Sequence, residues 1–267
     1  MVDIASFLGL LIAVVLVVLS MILNGSTLAN YFHLPSMAMV VGGSFGALML
    51  ANSVERILNL PRYINIVFRQ RHYPVKEIIS QIVMFSNKAR REGILSLEEE
   101  LEVIGEPFLK QAIQLTIDGT DPDTIKRILS QELNGQQERH ELGIKLIGTW
   151  ATIAPAFGMM GTLTGLISML AHLADASAIG RGMSLALITT LYGTMLANLF
   201  LLPFKNKLQD RDFQETLYKE VIIEGVLSIQ SGDNPVIVAS KLITFLAPDD
   251  KDAMHNEIKS KLEYYRY

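Results

Sequence analysis

Residues 155–203 read PAFGMMGTLTGLISMLAHLADASAIGRGMSLALITTLYGTMLANLFLLP, two apolar runs joined by a short turn. Each run carries small and hydroxylated residues at helical spacing. Pro155, Gly158, Thr162 and Gly165 fall at i, i+3, i+7 and i+10, which puts them on one face of a helix. Gly161 lies beside them. Thr190, Thr194 and Asn198 recur every four residues and make a second polar stripe. Helices in a bilayer use small residues to approach closely, and use hydroxyls or amides to bond across an interface or line a wet path. These spacings mark two helices that form the inner wall of an assembly. Gly158, Gly161 and Gly165 are its packing positions.

Working outward, Ile4–Leu23 is twenty residues without a charge, long enough to cross roughly 30 Å of hydrocarbon. It lacks the basic leader and small-residue cleavage site of a signal peptide. Leu34 to Val54 is also uncharged, and its Gly42, Gly43, Ser44, Gly46 and Ala47 suggest tight packing on a neighbour. Leu146 to Ala174 and Gly182 to Phe204 supply two more crossings, with Trp150 expected as an interfacial anchor.

Between them, residues 55–145 read as a soluble helical domain. Pro74 opens an amphipathic helix that Gly93 ends. Ser96 with Glu99 reads as a capping box for a second helix. Pro107 starts a third, which ends near Gly119. Asp121-Pro122 starts a fourth that runs toward the membrane. After Pro203 the pattern predicts an amphipathic helix to about Gln230, a break at Gly232–Pro235, a short apolar helix, and a loose charged tail beyond Pro248. The domains are therefore 1–54 and 146–204 in the membrane, with 55–145 and 205–267 outside it. The fold class is all-α, a polytopic membrane protein with four transmembrane helices and a helical domain.

Of the 23 Lys and Arg, thirteen lie in 55–145, nine follow residue 203, and the turn before the fourth crossing holds one, Arg181. The positive-inside rule then puts both termini in the cytoplasm. The chain has no cysteine, which excludes disulfides and thiolate metal sites. The five histidines show no metal-binding spacing, and no nucleophile motif or phosphate loop is present. No enzyme activity, cofactor, bound metal or nucleic-acid partner is expected. No Asp, Glu, Lys or Arg lies inside a crossing, although ion-moving proteins place an ionisable group at depth. Two readings follow. The chain is a passive scaffold, or it is one wall of an ion pathway whose carboxylate comes from another chain.

The segments PAFGMMGTLTGLISML, ALITTLYGTMLANL followed by LLP, ARREGILSLE and GDNPVIVASKL resemble the MotA/PomA family, the A subunit of the flagellar motor stator, with a leaning to the PomA-like branch. The resemblance covers essentially the whole chain. It implies a ring of five A subunits around a B subunit dimer, whose single transmembrane helix bears the essential Asp. It also implies the bacterial inner membrane, and torque delivered to the rotor protein FliG. The missing acid is thereby supplied by the partner. By position, Arg90 and Glu98 match the family's rotor-contact charges, Pro155 and Pro203 its functional prolines, and Thr162 and Thr190 its hydroxyls near the ion path. Thr194 continues that polar stripe. The related ExbB/TolQ energisers have three crossings with the large insertion after the first, so two crossings before residue 55 argue against them. Sodium needs oxygen ligands where a proton does not, and two hydroxyls on adjacent helices favour Na+ over H+ as the transported ion.

Overall fold

The computed structural model describes residues 3–25, 27–69 and 72–264, so Ser26 of the first turn lies outside the described residues. The described chain is all-α, with no strand, and four of its helices are long and apolar enough to span a bilayer. In chain order these elements are α1 (Ile4–Leu23), a 3-10 turn (Leu28–Tyr31), α2 (Leu34–Ala51), α3 (Val54–Leu58) and α4 (Leu60–Phe68). Then come α5 (Val75–Glu92), a 3-10 segment (Ile94–Glu102), α6 (Pro107–Ile117) and α7 (Pro122–Ala171). The chain closes with α8 (Ala176–Gln230), α9 (Pro235–Ile243) and α10 (Pro248–Tyr264). Two compact units result, residues 1–71 with 139–210, and 72–138 with 211–267.

In the first unit α1 has no buried residue, as expected of a helix whose Leu, Val and Ile surround it on all sides. Its start is tied down instead. The Asp3 carboxylate accepts from Ser6 N at 3.1 Å, pairs with Lys207 Nζ at 2.8 Å, and the Asp3 backbone N–H donates to Phe68 O at 3.0 Å. The ion pair and the Ser6 bond compensate for placing a carboxylate where it is only 9 % exposed. The apolar core gathers Leu48 of α2, Leu60 and Val67 of α4, Ile147, Ala151 and Ala154 of α7, and Leu201 and Leu208 of α8. Trp150 turns inward. Its Nε1–H donates to Ser44 Oγ at 3.0 Å, and its ring lies 5.5 Å from that of Phe45. Of the glycine cluster in α2, Gly43 abuts Phe157, whereas Gly42 and Gly46 have nothing within 4 Å of a Cβ built there.

The second unit buries Ile79, Ile82, Leu97, Leu109, Ile113, Ile125, Leu129, Ile222 and Leu242 around α5, which packs against the 3-10 segment, α9 and α10. Its punctuation follows local chemistry. Gly93 takes φ +89° after α5 and Gly119 φ +73° after α6, where side chains are strained. Asp121 accepts from Thr124 N at 2.9 Å to open α7, and the Thr124 hydroxyl, with that backbone bond second, holds its carboxyl below the usual range. Asn234 caps α9 through Val236 N at 3.0 Å. The half-buried Tyr73 hydroxyl donates to Glu215 Oε2 at 2.6 Å, and Lys219 reaches Glu215 at 3.3 Å while lying 5.1 Å over the Phe108 ring.

Three local expectations need correcting. Ser96 does not cap a helix. Its hydroxyl donates to Gly93 O at 2.7 Å, and Ile94–Glu102 is a 3-10 segment, because the hydroxyl bonds back across the Gly93 turn instead of forward to Glu99. The amphipathic helix expected after Pro203 is not separate from the fourth crossing, since Ala176–Gln230 is continuous. Pro203 sits second in the α-helix that resumes at Leu202 after a π-helical turn, Leu196–Leu201, and the widened turn accommodates a residue without an N–H. The tail past Pro248 is helical, with Met254 and Ile258 seated in the core.

Candidate functional site

The face of α7 that carries Gly158, Gly161 and Gly165 lies directly on α8. A Cβ at Gly158 would meet Thr189 O at 3.0 Å, and one at Gly165 would meet Gly182 O at 2.5 Å and Ala186 N at 2.7 Å. The relation is reciprocal, since a Cβ at Gly182 would meet Gly165 O at 2.7 Å and one at Gly193 would meet Ala154 O at 3.0 Å. Backbone therefore touches backbone along this seam, the geometry small residues permit. At Gly161 the space is filled by Thr189, whose Cβ would stand 2.4 Å from an added methyl group.

That closeness brings Thr162 and Thr190 together, with their hydroxyl oxygens 2.5 Å apart. Thr162 Oγ1 also lies 3.1 Å from Gly158 O and 3.2 Å from Ala186 O, and Thr190 Oγ1 lies 3.2 Å from Ala186 O. Two hydroxyls carry two protons. One proton lies between the oxygens and the other goes to a carbonyl, so acceptor lone pairs remain on both threonines. Such a pair can offer oxygen to a cation, or accept a hydrogen bond from water or from a protonated carboxyl group. Thr190 is exposed while Thr162 is half-buried.

Thr194 and Asn198 continue the exposed stripe. Thr194 Oγ1 donates within its own helix, to Thr190 O at 2.9 Å or Leu191 O at 3.0 Å, and Asn198 Nδ2 donates to Thr194 O at 3.0 Å. Pro155 lies inside α7 without ending it, half-buried beside Gly193. The carbonyl its ring cannot bond, that of Ala151, belongs to a residue 3 % exposed in the core. Pro203 is exposed.

Arg90 and Glu98 belong to the second unit, both exposed, on the last turn of α5 and on the 3-10 segment across Gly93. Their neighbours are engaged: Lys88 pairs with Glu100 at 2.6 Å and with Glu99 at 3.3 Å. Beside them a cleft of about 300 Å³ has Lys88, Arg91 and Glu100 in its lining.

Sequence reasoning missed two residues of the first unit. Thr189 is fully buried and bonds to Leu185 O at 2.9 Å and Ala186 O at 3.0 Å. The signal was present in a Thr-Thr pair, one member of which must face Gly161 if the other faces out. Tyr192 bonds to the start of α2 across 159 residues of sequence, and no spacing rule points to that.

The family model described as "MotA/TolQ/ExbB proton channel family" matches residues 100–220, and that described as "Motility protein A N-terminal" matches residues 7–93. Motility protein A of Borreliella burgdorferi is 46 % identical over 96 % of this chain and 98 % of its own length. The chemotaxis protein PomA of Vibrio alginolyticus is 36 % identical over 91 % and 95 %. The flagellar MotAB stator complex of Bacillus subtilis superposes with a TM-score of 0.86 at 29 % identity, covering 93 % of this chain and 98 % of that one. Matched along nearly its whole length by these relatives, the chain belongs to the MotA family, within the wider group of MotA, TolQ and ExbB channel proteins.

Proposed function

We propose that this chain is the A subunit of an ion-driven flagellar stator and that ion flow past its α7–α8 seam is converted into torque on the rotor. The observation that carries this reading is the Thr162–Thr190 hydroxyl pair, 2.5 Å apart, on helices with no ionisable side chain at depth. A B subunit with one transmembrane helix supplies the essential Asp, and five copies of this chain surround two of it. Residues 1–54 and 146–204 lie in the bacterial inner membrane. Residues 55–145 and 205–267 lie in the cytoplasm with both termini, on the side that holds nearly all of the basic residues.

In this scheme the Asp of the partner binds the ion, and the threonine oxygens replace part of the water that the ion sheds. Sodium is the ion this hydroxyl pair favours, because a hard cation is held by oxygen. Swimming speed measured against external sodium at fixed pH tests the reading: speed should rise and saturate, and undiminished swimming in sodium-free potassium medium would assign protons. Movement of the A ring then carries its cytoplasmic units past the rotor.

Arg90 and Glu98 are the charges offered to FliG. Arg90→Glu or Glu98→Lys should cut swimming severalfold with the protein still inserted and paired, and a complementary charge reversal on the rotor should restore part of it. Neutral substitutions will be milder, since one solvated pair contributes about 0.2–1 kcal/mol. Full motility of the double mutant Arg90→Glu/Glu98→Lys with an unaltered rotor would remove the contact from the mechanism.

A further inference from the structure

The chain is not helical between the 3-10 turn, which ends at Tyr31, and α2, which begins at Leu34. Phe32 and His33 are extended, with φ −93° and −129°. A break of this kind leaves backbone groups without helical partners, which is costly where no water reaches. One side chain serves two of them. The His33 N–H donates to Tyr192 Oη at 3.1 Å, and the Tyr192 hydroxyl donates to Tyr31 O. Below this point His33 caps α2: its Nδ1 accepts from Ser36 N at 3.3 Å and lies 2.7 Å from Ser36 Oγ, while Ser36 is fully buried.

Tyr192 follows Thr190 by two residues, which is about 200° round the helix. The α7-facing seam of Gly182, Ala186, Thr189 and Gly193 lies between them. Tyr192 thus stands on one flank of the seam and Thr190 on the other. Glycine contacts fix how closely α8 approaches α7, and Thr189 seated on Gly161 opposes rotation of α8 about its own axis. A hydrogen-bonded stay on one flank adds to that resistance.

We infer that Tyr192 is a positioning residue: its hydroxyl ties α8 to the break before α2 and sets the rotation at which α8 presents Thr190 and Thr194. The inference rests on the reading of Thr190 as an ion-path residue. Tyr192→Phe removes one oxygen and leaves the ring, so the fold is kept. It frees α8 to rotate away from the productive setting.

The test uses the full chain with its B subunit in the native motile cell. The chain has no cysteine, so Thr194→Cys gives one thiol, whose modification rate by a small methanethiosulfonate reports the facing of α8. Adding Tyr192→Phe removes both of its hydrogen bonds and should slow that rate at least about fivefold, the equilibrium equivalent of losing one of them. In the Thr194 background, Tyr192→Phe should raise the ion concentration for half-maximal swimming with the amount of assembled complex unchanged. An unchanged modification rate overturns the inference whatever the swimming. A changed rate with an unchanged ion dependence also overturns it, since facing and ion handling are then unlinked. Failure of the ion-path reading shows separately, as normal swimming of Thr190→Ala.

Discussion

Thr190→Ala should abolish swimming while the protein still reaches the membrane and pairs with its B subunit. The substitution removes one hydroxyl from an exposed position, so no cavity forms in the core. The Thr162 hydroxyl keeps Gly158 O and Ala186 O as acceptors, at 3.1 and 3.2 Å, so the seam retains its bonds. A hydrogen bond between membrane helices contributes about 0.6 kcal/mol on average, too little to unfold the protein. On the proposed ion path, an ion that loses one of few oxygen ligands loses far more. Thr190→Ser should recover much of the motility and the isosteric Thr190→Val none. Rotation of tethered cells together with co-purification of the B subunit decides the matter, and wild-type torque in the alanine variant would end the ion-path reading.

Gly165→Val should prevent accumulation of the protein altogether. Even the first added carbon would stand 2.5 Å from Gly182 O and 2.7 Å from Ala186 N. Both are backbone atoms, so no rotamer relieves the clash and α7 must part from α8. Overpacking of a closed interface typically costs about 1–3 kcal/mol where side chains can adjust, and here they cannot. Parting the helices also separates Thr162 from Thr190. Gly9→Ala, in α1 where nothing lies within 4 Å, should be harmless and slightly favourable to its helix. Immunoblots of membrane fractions test both, and a Gly165→Val protein present at the wild-type level would show the seam to be looser than described.

Much of this was legible because the information is local. Four long uncharged runs cannot be hidden in a sequence with 19 % charged residues. Asp121-Pro122, Pro107, Gly93 and Asn234-Pro235 each mark a helix end through chemistry confined to a few residues. The glycine spacing of α7 identified the face that meets α8, whereas the Thr190, Thr194 and Asn198 stripe stands exposed beside that seam. What stayed hidden depends on partners far away in the chain. The Asp3–Lys207 pair and the Tyr192–His33 bond join positions that no periodicity relates. Trp150 read as an interfacial anchor because its acceptor, Ser44, sits 106 residues back. The tail looked loose because charges outnumber the two apolar residues, Met254 and Ile258, that seat it. The fourth crossing and the helix after Pro203 read as two elements because a π-helical turn ahead of the proline leaves no mark in the residue pattern.

The two glycine pairs of the seam, Gly158 with Gly193 and Gly165 with Gly182, are seven residues apart on α7, about 10 Å along the axis. Two helices touching backbone to backbone at points that far apart can neither splay nor slide without breaking one contact. They form a frame, with no hinge inside it. A gate needs two arrangements of near-equal energy, and this frame has one. In the proposed stator, opening and closing during ion passage therefore belongs to the edges where Thr190, Thr194 and Asn198 stand exposed. In that scheme the A subunit keeps its shape while its neighbours move past it.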